Sequence, residues 1–281
     1  MGFTRHRRHR WLLSGLLAAL ALAAIAGLWV QRPPQPDLSG PPAAPVLTAQ
    51  VLRVIDGDTI VVATAAGDQE TVRYIGIDAP EIRWDAEDPR AASGPGWAAR
   101  IANQRLVAGR RVQLELDAEE RDAYGRLLAY VYVDDVLVNA RLVQEGLAVA
   151  LVVPPNVARA QLLVEGQRAA LRAGRGLWGE AAGRVVDARA AGEYVGKAAA
   201  VEGVVERVHV DEGSGLVFLN FGPNPRRDFV VVIRPPFTAL FASPLPDGYQ
   251  GRRVRVRGVV EDFRGQPQIV VQLPEQIEVI D

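Results

Sequence analysis

The feature that most constrains this chain is a pair of β-type runs meeting at an acidic four-residue turn. Val51–Ile55 and Ile60–Ala63 are joined by Asp56-Gly57-Asp58-Thr59, and a third run, Val72–Ile77, ends at Asp78-Ala79-Pro80-Glu81. Short runs separated this way predict antiparallel strands, because Asp and Gly accept the backbone angles of tight connections. Turn chemistry explains each motif taken singly. The combination asks for more, since four carboxylates lie just beyond strand ends. Arg73 sits at strand spacing with Ile75 and Ile77, so an otherwise apolar face carries a guanidinium that must reach the rim or an anionic partner. The neighbouring acids are the obvious candidates.

Downstream, Arg83 to Gly94 is polar and is expected to form a mobile surface loop. Pro95–Ala108 reads as a helix, with Pro in its first turn, apolar residues at Trp97, Ile101 and Leu106, and Gly109 as its stop. Strands are expected at Val112–Leu116 and Leu127–Val133, and helices at Asn139–Ala148 and Val157–Ala173, the second ending at Gly174. Three strands, a helix, two strands and then helices predict a mainly β fold with α: an OB-type five-stranded β-barrel with a helical flank.

With the later segment Asp122-Ala123-Tyr124-Gly125-Arg126, these motifs place the chain close to a known family. From about Val46 to Trp178 it resembles the staphylococcal nuclease (thermonuclease) family, whose members share the DGDT turn, an R-x-x-x-x-D-x-P-E segment and a D-x-Y-G-R segment in this order. The resemblance implies the same barrel and a phosphodiester-cleaving site. Such cleavage needs a nucleophile, neutralisation of charge on the phosphoryl oxygens and a fixed position for the phosphate. Asp58 and Asp78 are hard oxygen donors, which favour Ca²⁺ or Mg²⁺ over transition metals in a chain without cysteine. By resemblance, Asp58, Asp78 and the carbonyl oxygen of Ala79 bind a single Ca²⁺, with Asp56 one contact further out. Glu81 matches the family's general base, which activates a water for attack on phosphorus. Arg73 and Arg126 match its two phosphate-clamping arginines, whose planar forks suit a phosphate. Tyr124 is retained as a substrate contact.

Two departures bear on substrate grip. Where the family has a Tyr-Val-Tyr-Lys-Pro segment lining the nucleotide pocket, this chain has Leu151-Val152-Val153-Pro154-Pro155, and Ala123 stands where a lysine is common. Stacking on an aromatic ring is worth ~1–3 kcal/mol per base. Affinity, base preference and substrate size are therefore open.

Composition narrows the alternatives. No cysteine is present, which excludes disulfides, thiol catalysis and zinc-thiolate sites. Of three histidines, His6, His9 and His209, two lie in the N-terminal tail, which argues against a histidine-based mechanism. The single lysine, Lys197, against 31 arginines reflects genomic base composition. Net charge is −1, but Arg5, Arg7, Arg8 and Arg10 leave only 28 of the 32 basic residues to balance 33 acidic ones beyond residue 10. Phosphate binding must then come from local arginine placement rather than from a generally basic surface.

Trp11–Val30 carries no charge and follows Arg-His-Arg-Arg-His-Arg. At about 20 residues it can cross a bilayer as a helix, and its positive flank belongs on the cytoplasmic side. Residues 1–10 then form a basic cytoplasmic tail, 11–30 a transmembrane anchor and 31–45 a Pro-rich spacer. Ala24-Ile25-Ala26 offers a cleavage pattern, so a removed signal peptide is the rival reading. Both readings export the protein.

A nuclease-like domain is expected over 46–178, a linker over 179–195 and a second module over 196–281. The latter reads β again, with runs at Ala199–Val210, Leu216–Phe221, Phe229–Arg234, Gly251–Val260 and Pro267–Leu273 and an extension at Gln276–Ile280, suggesting a second OB-like barrel. Arg253, Arg255 and Arg257 alternate with Val254 and Val256, giving a candidate arginine face for substrate, while Phe218, Phe221, Phe229, Tyr249 and Phe263 offer rings for stacking. The combined expectation is an exported, membrane-anchored Ca²⁺-dependent nuclease acting on DNA, RNA or both, a thermonuclease-like endonuclease leaving 3′-phosphates. A weakly active or inactive envelope-tethered nucleic-acid-binding protein is the alternative, and a phosphodiesterase for smaller phosphorylated molecules a third.

Overall fold

A computed structural model describes residues 46–84, 92–179, 184–241 and 248–280, with the isolated Pro42. The expected anchor at 11–30 lies outside the described residues, as do positions 85–91 of the expected loop. Among the described residues no helix is long and apolar enough to cross a membrane.

Five strands close on themselves around the first core. Strand β1 (Val46–Val54) pairs with β2 (Thr59–Thr64), β2 with β3 (Gln69–Tyr74), and β1 also with β7 (Arg111–Glu115). Strand β8 (Leu127–Val133) completes the circuit, antiparallel to β7 and parallel to β3, with Arg73 opposite Leu128, and the two-residue β9 (Val136–Leu137) pairs with its end. A register shift between Val51 and Arg53 marks a bulge in β1. Bulges bend a strand and increase its twist, which suits a strand shared by two partners in a small barrel. Ile60, Val62, Val72, Tyr74, Leu114, Ala129 and Val131 fill the interior.

The third expected strand differs. It stops at Tyr74, turns at Ile75-Gly76, and resumes as the two-residue β4 (Ile77–Asp78), which leaves the barrel to pair with β10 (Val149–Ala150). Gly76 takes a φ of +78°, a left-handed conformation that bulky residues resist. Arg73 and Asp78 thus face each other across a turn rather than lying along one strand.

Among the described residues three α-helices flank this barrel: α1 (Gly94–Val107), α2 (Val138–Gln144) and α3 (Ala160–Arg172). Helix α1 buries Gly96, Ala99, Asn103 and Val107, while Trp97, Ile101 and Leu106 are only partly covered. Small residues face inward because the helix lies directly on backbone. A Cβ at Gly96 would meet the carbonyl of Glu81, and one at Gly57 would lie 2.5 Å from the Ala79 Cβ and 2.7 Å from the Ala99 Cβ. Arg83–Trp84 (β5) pairs with Ala92–Ser93 (β6), so the ends of the expected loop are joined.

Beyond Trp178 a second core forms. Val185–Asp187 (β11) runs parallel to β12 (Ala198–Val204), and Val186, Ala188 and Ala191 belong to this core. Much of the expected linker is therefore packed. Strand β12 continues into β13 (Arg207–Val210), and β16 (Arg253–Val259) into β17 (Glu261–Phe263). The circuit runs from β12 and β13 through β14 (Val217–Asn220), β15 (Val230–Ile233) and β18 (Gln266–Val271) to β17 and β16, which pairs back with β12. As in the first barrel, the third and fifth strands are parallel. A short β19 (Ile277–Val279) adds to β16.

Both barrels lie in one compact unit, residues 36–281. Phe237 leaves the second barrel and is buried in the core of the first. Gln167 on α3 accepts from the Ala150 backbone N–H at 2.6 Å and donates to Gln276 Oε1 at 3.2 Å, bridging the two barrels through buried side chains. Arg168 adds an ion pair to Glu275 at 3.1 Å.

Candidate active site

The acidic turn after β1 is held from three sides. Asp56 Oδ1 accepts from the Asp58 backbone N–H at 3.0 Å, and Thr59 Oγ1 donates to Asp58 Oδ1 at 3.1 Å. Asn103 of α1 donates to the Asp56 carbonyl at 3.0 Å and accepts from Tyr74 Oη at 2.9 Å. From the other side, the Ala79 N–H donates to Asp58 Oδ2 at 2.6 Å. Asp58 is thereby tied to the Asp78–Glu81 loop although 18 residues, 60–77, separate the two motifs in sequence.

Arg73 joins the acids. Its Nη1 lies 3.1 Å from Asp58 Oδ2 and its Nη2 donates to Asp78 Oδ1 at 2.7 Å. Nη1 also donates to the carbonyls of Tyr74, at 3.1 Å, and Ile77, at 2.9 Å. These bonds use both Nη1 hydrogens and one on Nη2, leaving the other Nη2 hydrogen and the Nε–H for a phosphate oxygen. Asp58 is buried and Asp78 has a side chain 46% exposed. Burial pushes the Asp58 carboxyl up to about 7, against the pull of Arg73 and the hydrogen bond from Ala79. Asp78 is also raised, first by burial, with Arg73 and Arg234 opposing. Carboxylates strained in this way gain from a cation.

The residues present fit a hard divalent ion by donor chemistry, the carboxylates of Asp58 and Asp78 being gathered at Arg73. Among the described residues no group of three or more His, Cys, Asp or Glu side chains is arranged as a ready cage. An ion here would complete its coordination with water and substrate oxygens, as such ions do at phosphate sites.

Glu81 is exposed where the loop opens to solvent. Its pKa is raised by partial burial and by Asp56 and Asp78, while Arg73 and Arg126 pull it down. Both arginines thus act electrostatically on the expected base. Arg126 is oriented by Asp122, which accepts from Arg126 Nε at 2.7 Å and whose other oxygen accepts from the backbone N–H groups of Tyr124, at 2.9 Å, and Arg126, at 3.0 Å. Tyr124 is 87% exposed, and the Arg126 guanidinium lies 5.6 Å from its ring centre. Leu151–Pro155 brings no ring to the site, and Val153 is exposed.

The structure therefore brings Asp56, Asp58, Arg73, Asp78, Ala79 and Glu81 together, with Arg126 within electrostatic reach. A model of the family described as staphylococcal nuclease homologues matches residues 71–180. The thermonuclease of Staphylococcus intermedius is 40% identical over 129 residues, covering 46% of this chain and 74% of that protein. This chain belongs to the staphylococcal nuclease family. The thermonuclease of Staphylococcus hyicus is 37% identical over 132 residues, 47% of this chain and 75% of its own length. Endonuclease YncB of Bacillus subtilis is 48% identical over 107 residues, 37% and 48% of the two chains. The family match begins after the Asp56–Thr59 turn, so within this nuclease site Asp58 is joined to Arg73 and Asp78 by geometry.

The arginine face of the second barrel is differently placed. Arg255 Nε donates to Glu202 at 2.6 Å, Arg255 and Arg257 lie 3.3 and 3.2 Å from Glu278, and Arg253 lies 3.8 Å from Glu202. Two carboxylates offset much of the charge that alternation in the sequence suggested. Phe221 and Phe229 are core residues, whereas Phe263 is 53% exposed. Asn103 and the holding role of Asp122 were not anticipated. The Asp-x-x-x-Arg spacing could have exposed the second; a lone Asn on a helix signals nothing. Arg234 and Glu261, whose charges act on one another and on Asp78, had no local signal at all.

Proposed function

We propose that this protein is a calcium-dependent nuclease that hydrolyses phosphodiester bonds in DNA, RNA or both. The carrying observation is Arg73 drawn between Asp58 and Asp78, with Glu81 on the same loop. Endonucleolytic action and 3′-phosphate products follow from family resemblance. Bound Ca²⁺, held by Asp58, Asp78 and the Ala79 carbonyl, would supply positive charge to a phosphate oxygen. Glu81, its pKa raised by partial burial and by Asp56 and Asp78 while its side chain stays exposed, accepts the proton of an attacking water. Arg73 offers its remaining hydrogens to the phosphate, and Arg126, oriented by Asp122, offers its free Nη edge. Asp56 positions Asp58 through the turn, and Tyr124 is placed to touch substrate beside Arg126.

The proposal extends to location. Residues 11–30 serve as an anchor, or as a signal peptide cleaved near Ala26, holding residues 46–281 outside the cytoplasm. Membrane fractionation of the full-length protein tests this, and a soluble chain beginning at Gly27 would remove the anchor.

Cleavage of single-stranded DNA, duplex DNA and RNA by the full-length protein, in Ca²⁺ or chelator, tests the activity. Glu81→Gln is expected to lose on the order of 10²- to 10⁴-fold in rate. One observation favours the alternative of a tethered binding protein, the ringless Leu151–Pro155 segment. Binding without cutting in the wild type would select it.

A further inference from the structure

A cleft of about 360 Å³ lies between the Asp78–Glu81 loop of the first barrel and the Gly258–Asp262 bend of the second. Asp78, Glu81, Glu261 and Asp262 line it, so an anionic strand meets repulsion there and its phosphates need cations elsewhere. A smaller pocket of about 200 Å³ offers them. It lies between β1 and α1, lined by Val51–Val54 on one side and by Arg100, Gln104 and Ala108 on the other. That is less than the ~300 Å³ of the smallest ordinary ligand pockets, but ample for a phosphate group.

Strand geometry accounts for one of its cations. Ala49 and Val51 are buried, and a period of two would bury Arg53 next. The bulge makes Leu52 the extra residue, so Arg53 is exposed beside it and Val54 takes the inward position. Helix geometry accounts for the other, because Arg100 and Gln104 stand four residues apart on one stripe of α1 that runs on to Ala108. The Arg100 guanidinium lies 5.2 Å from the Trp97 ring centre, and its Nε is buried without a hydrogen-bond partner. Among the described residues neither Arg53 nor Arg100 forms an ion pair. A buried N–H left unpaired costs its desolvation, and an acceptor seated in the pocket removes that cost. Against these two charges stands only the negative end of α1, about half a charge.

Both walls of the pocket lead to the active site. Arg53 precedes Asp56 by three residues, about 10 Å of extended chain. Asn103, next to Gln104, donates to the Asp56 carbonyl. A strand of a duplex advances about 3.4 Å per nucleotide, so a few nucleotides cover such a distance. We propose that Arg53, Arg100 and Gln104 bind a backbone phosphate of the substrate strand a few nucleotides from the scissile one. This rests on the phosphodiester reading of the active site. The three are positioning residues: they hold the strand and leave proton transfer to Glu81.

The test is binding of two fluorescent probes, a dinucleotide and a longer single strand, to full-length Glu81→Gln protein in Ca²⁺ across a salt series. Adding Arg100→Ala, which puts a good helix former into α1, is expected to weaken the longer strand roughly 10- to 100-fold, as for a lost hydrogen bond to a charged group. The slope of log affinity against log salt should become shallower by about 0.7, one phosphate contact on a single strand. Dinucleotide affinity should stay unchanged, because that probe reaches only the scissile site. Arg53→Ala should flatten the slope in the same way, and Arg53→Lys should restore it. An unchanged slope in either alanine variant overturns the proposal, and so does an equal loss for both probes, which would place the effect in the active site. If Arg100→Ala does not fold, Arg53→Ala decides by the same reading. Inorganic phosphate is a third probe. If it raises the wild-type thermal midpoint and Arg100→Ala removes that rise with the strand slopes unaltered, the pocket holds a free anion and the strand contact is overturned. Wild-type cleavage measured alongside tests the nuclease reading separately: no cutting with the slope change intact removes the hydrolase and leaves the phosphate site standing.

Discussion

Asp58 shows how one residue can be placed at a disadvantage that a ligand relieves. It is buried, its carboxyl is raised to about 7, and Arg73 compensates only in part because that guanidinium is shared with Asp78. Excess Ca²⁺ at neutral pH is therefore expected to raise the thermal unfolding midpoint, by the equivalent of about 2.7 kcal/mol at a hundred times Kd. Asp58→Asn should abolish most of that rise, and calorimetry with and without the ion measures both. Asp122 behaves oppositely. Burial alone would raise its pKa, but hydrogen bonds from the Arg126 side chain and from the Arg126 and Tyr124 N–H groups outweigh it and hold the carboxyl low. A depressed carboxylate stabilises fully above its unfolded pKa and loses that contribution as pH falls through the folded value. Asp122→Asn should thus be less stable than wild type at neutral pH, and the difference should vanish at pH values well below the ordinary Asp range, as urea titrations across pH would reveal.

At the scale of elements, the site depends on a helix laid against two loops. Helix α1 can approach because Gly96 and Ala99 are small, and Asn103 then reaches both Tyr74 and Asp56. Asn103→Ala would leave a buried hydroxyl and a carbonyl without partners, at about 1–3 kcal/mol, and free the acidic turn. The expected outcome is a lower urea midpoint together with weaker Ca²⁺ binding by isothermal titration. A second device ties α3 to the barrel on another side. Buried Glu115 accepts from Arg159 at 2.9 and 3.0 Å and from Tyr132 Oη at 2.8 Å. Removing one member of such a pair strands the other, so Glu115→Ala should cost about 3 kcal/mol in denaturant unfolding. No effect there would mean that Arg159 finds water instead.

Across the whole molecule, the two barrels are joined by more than a linker. Phe237 from the second fills part of the first core, and a buried Gln167–Gln276 bond lies between them. Truncating a buried Phe typically costs about 3–5 kcal/mol. Phe237→Ala is accordingly expected to lower the stability of the first barrel as well as the second, read by hydrogen exchange at β3 and β8. Protection lost only in the second barrel would show that the two unfold independently.

Much of this was legible beforehand, and what was not follows a physical pattern. Strand runs, turns, the OB-type order of the first barrel and the nearness of Asp58, Arg73 and Asp78 could be read from residue type, spacing and family resemblance. Such features are local, or repeat a known motif. The sequence alone also excluded thiol chemistry, since it contains no cysteine. Tertiary structure decided the rest. It broke the third strand at Gly76 so that Arg73 could turn onto Asp78, chose Gly96 and Ala99 rather than Trp97 as buried faces of α1, and paired Arg255 with Glu202 and Arg257 with Glu278. It also carried Glu261 to the cleft that Asp78 lines. Each of these depends on partners far away in sequence, and a contact whose two halves are set by the packing of whole barrels leaves no periodicity or spacing in either half.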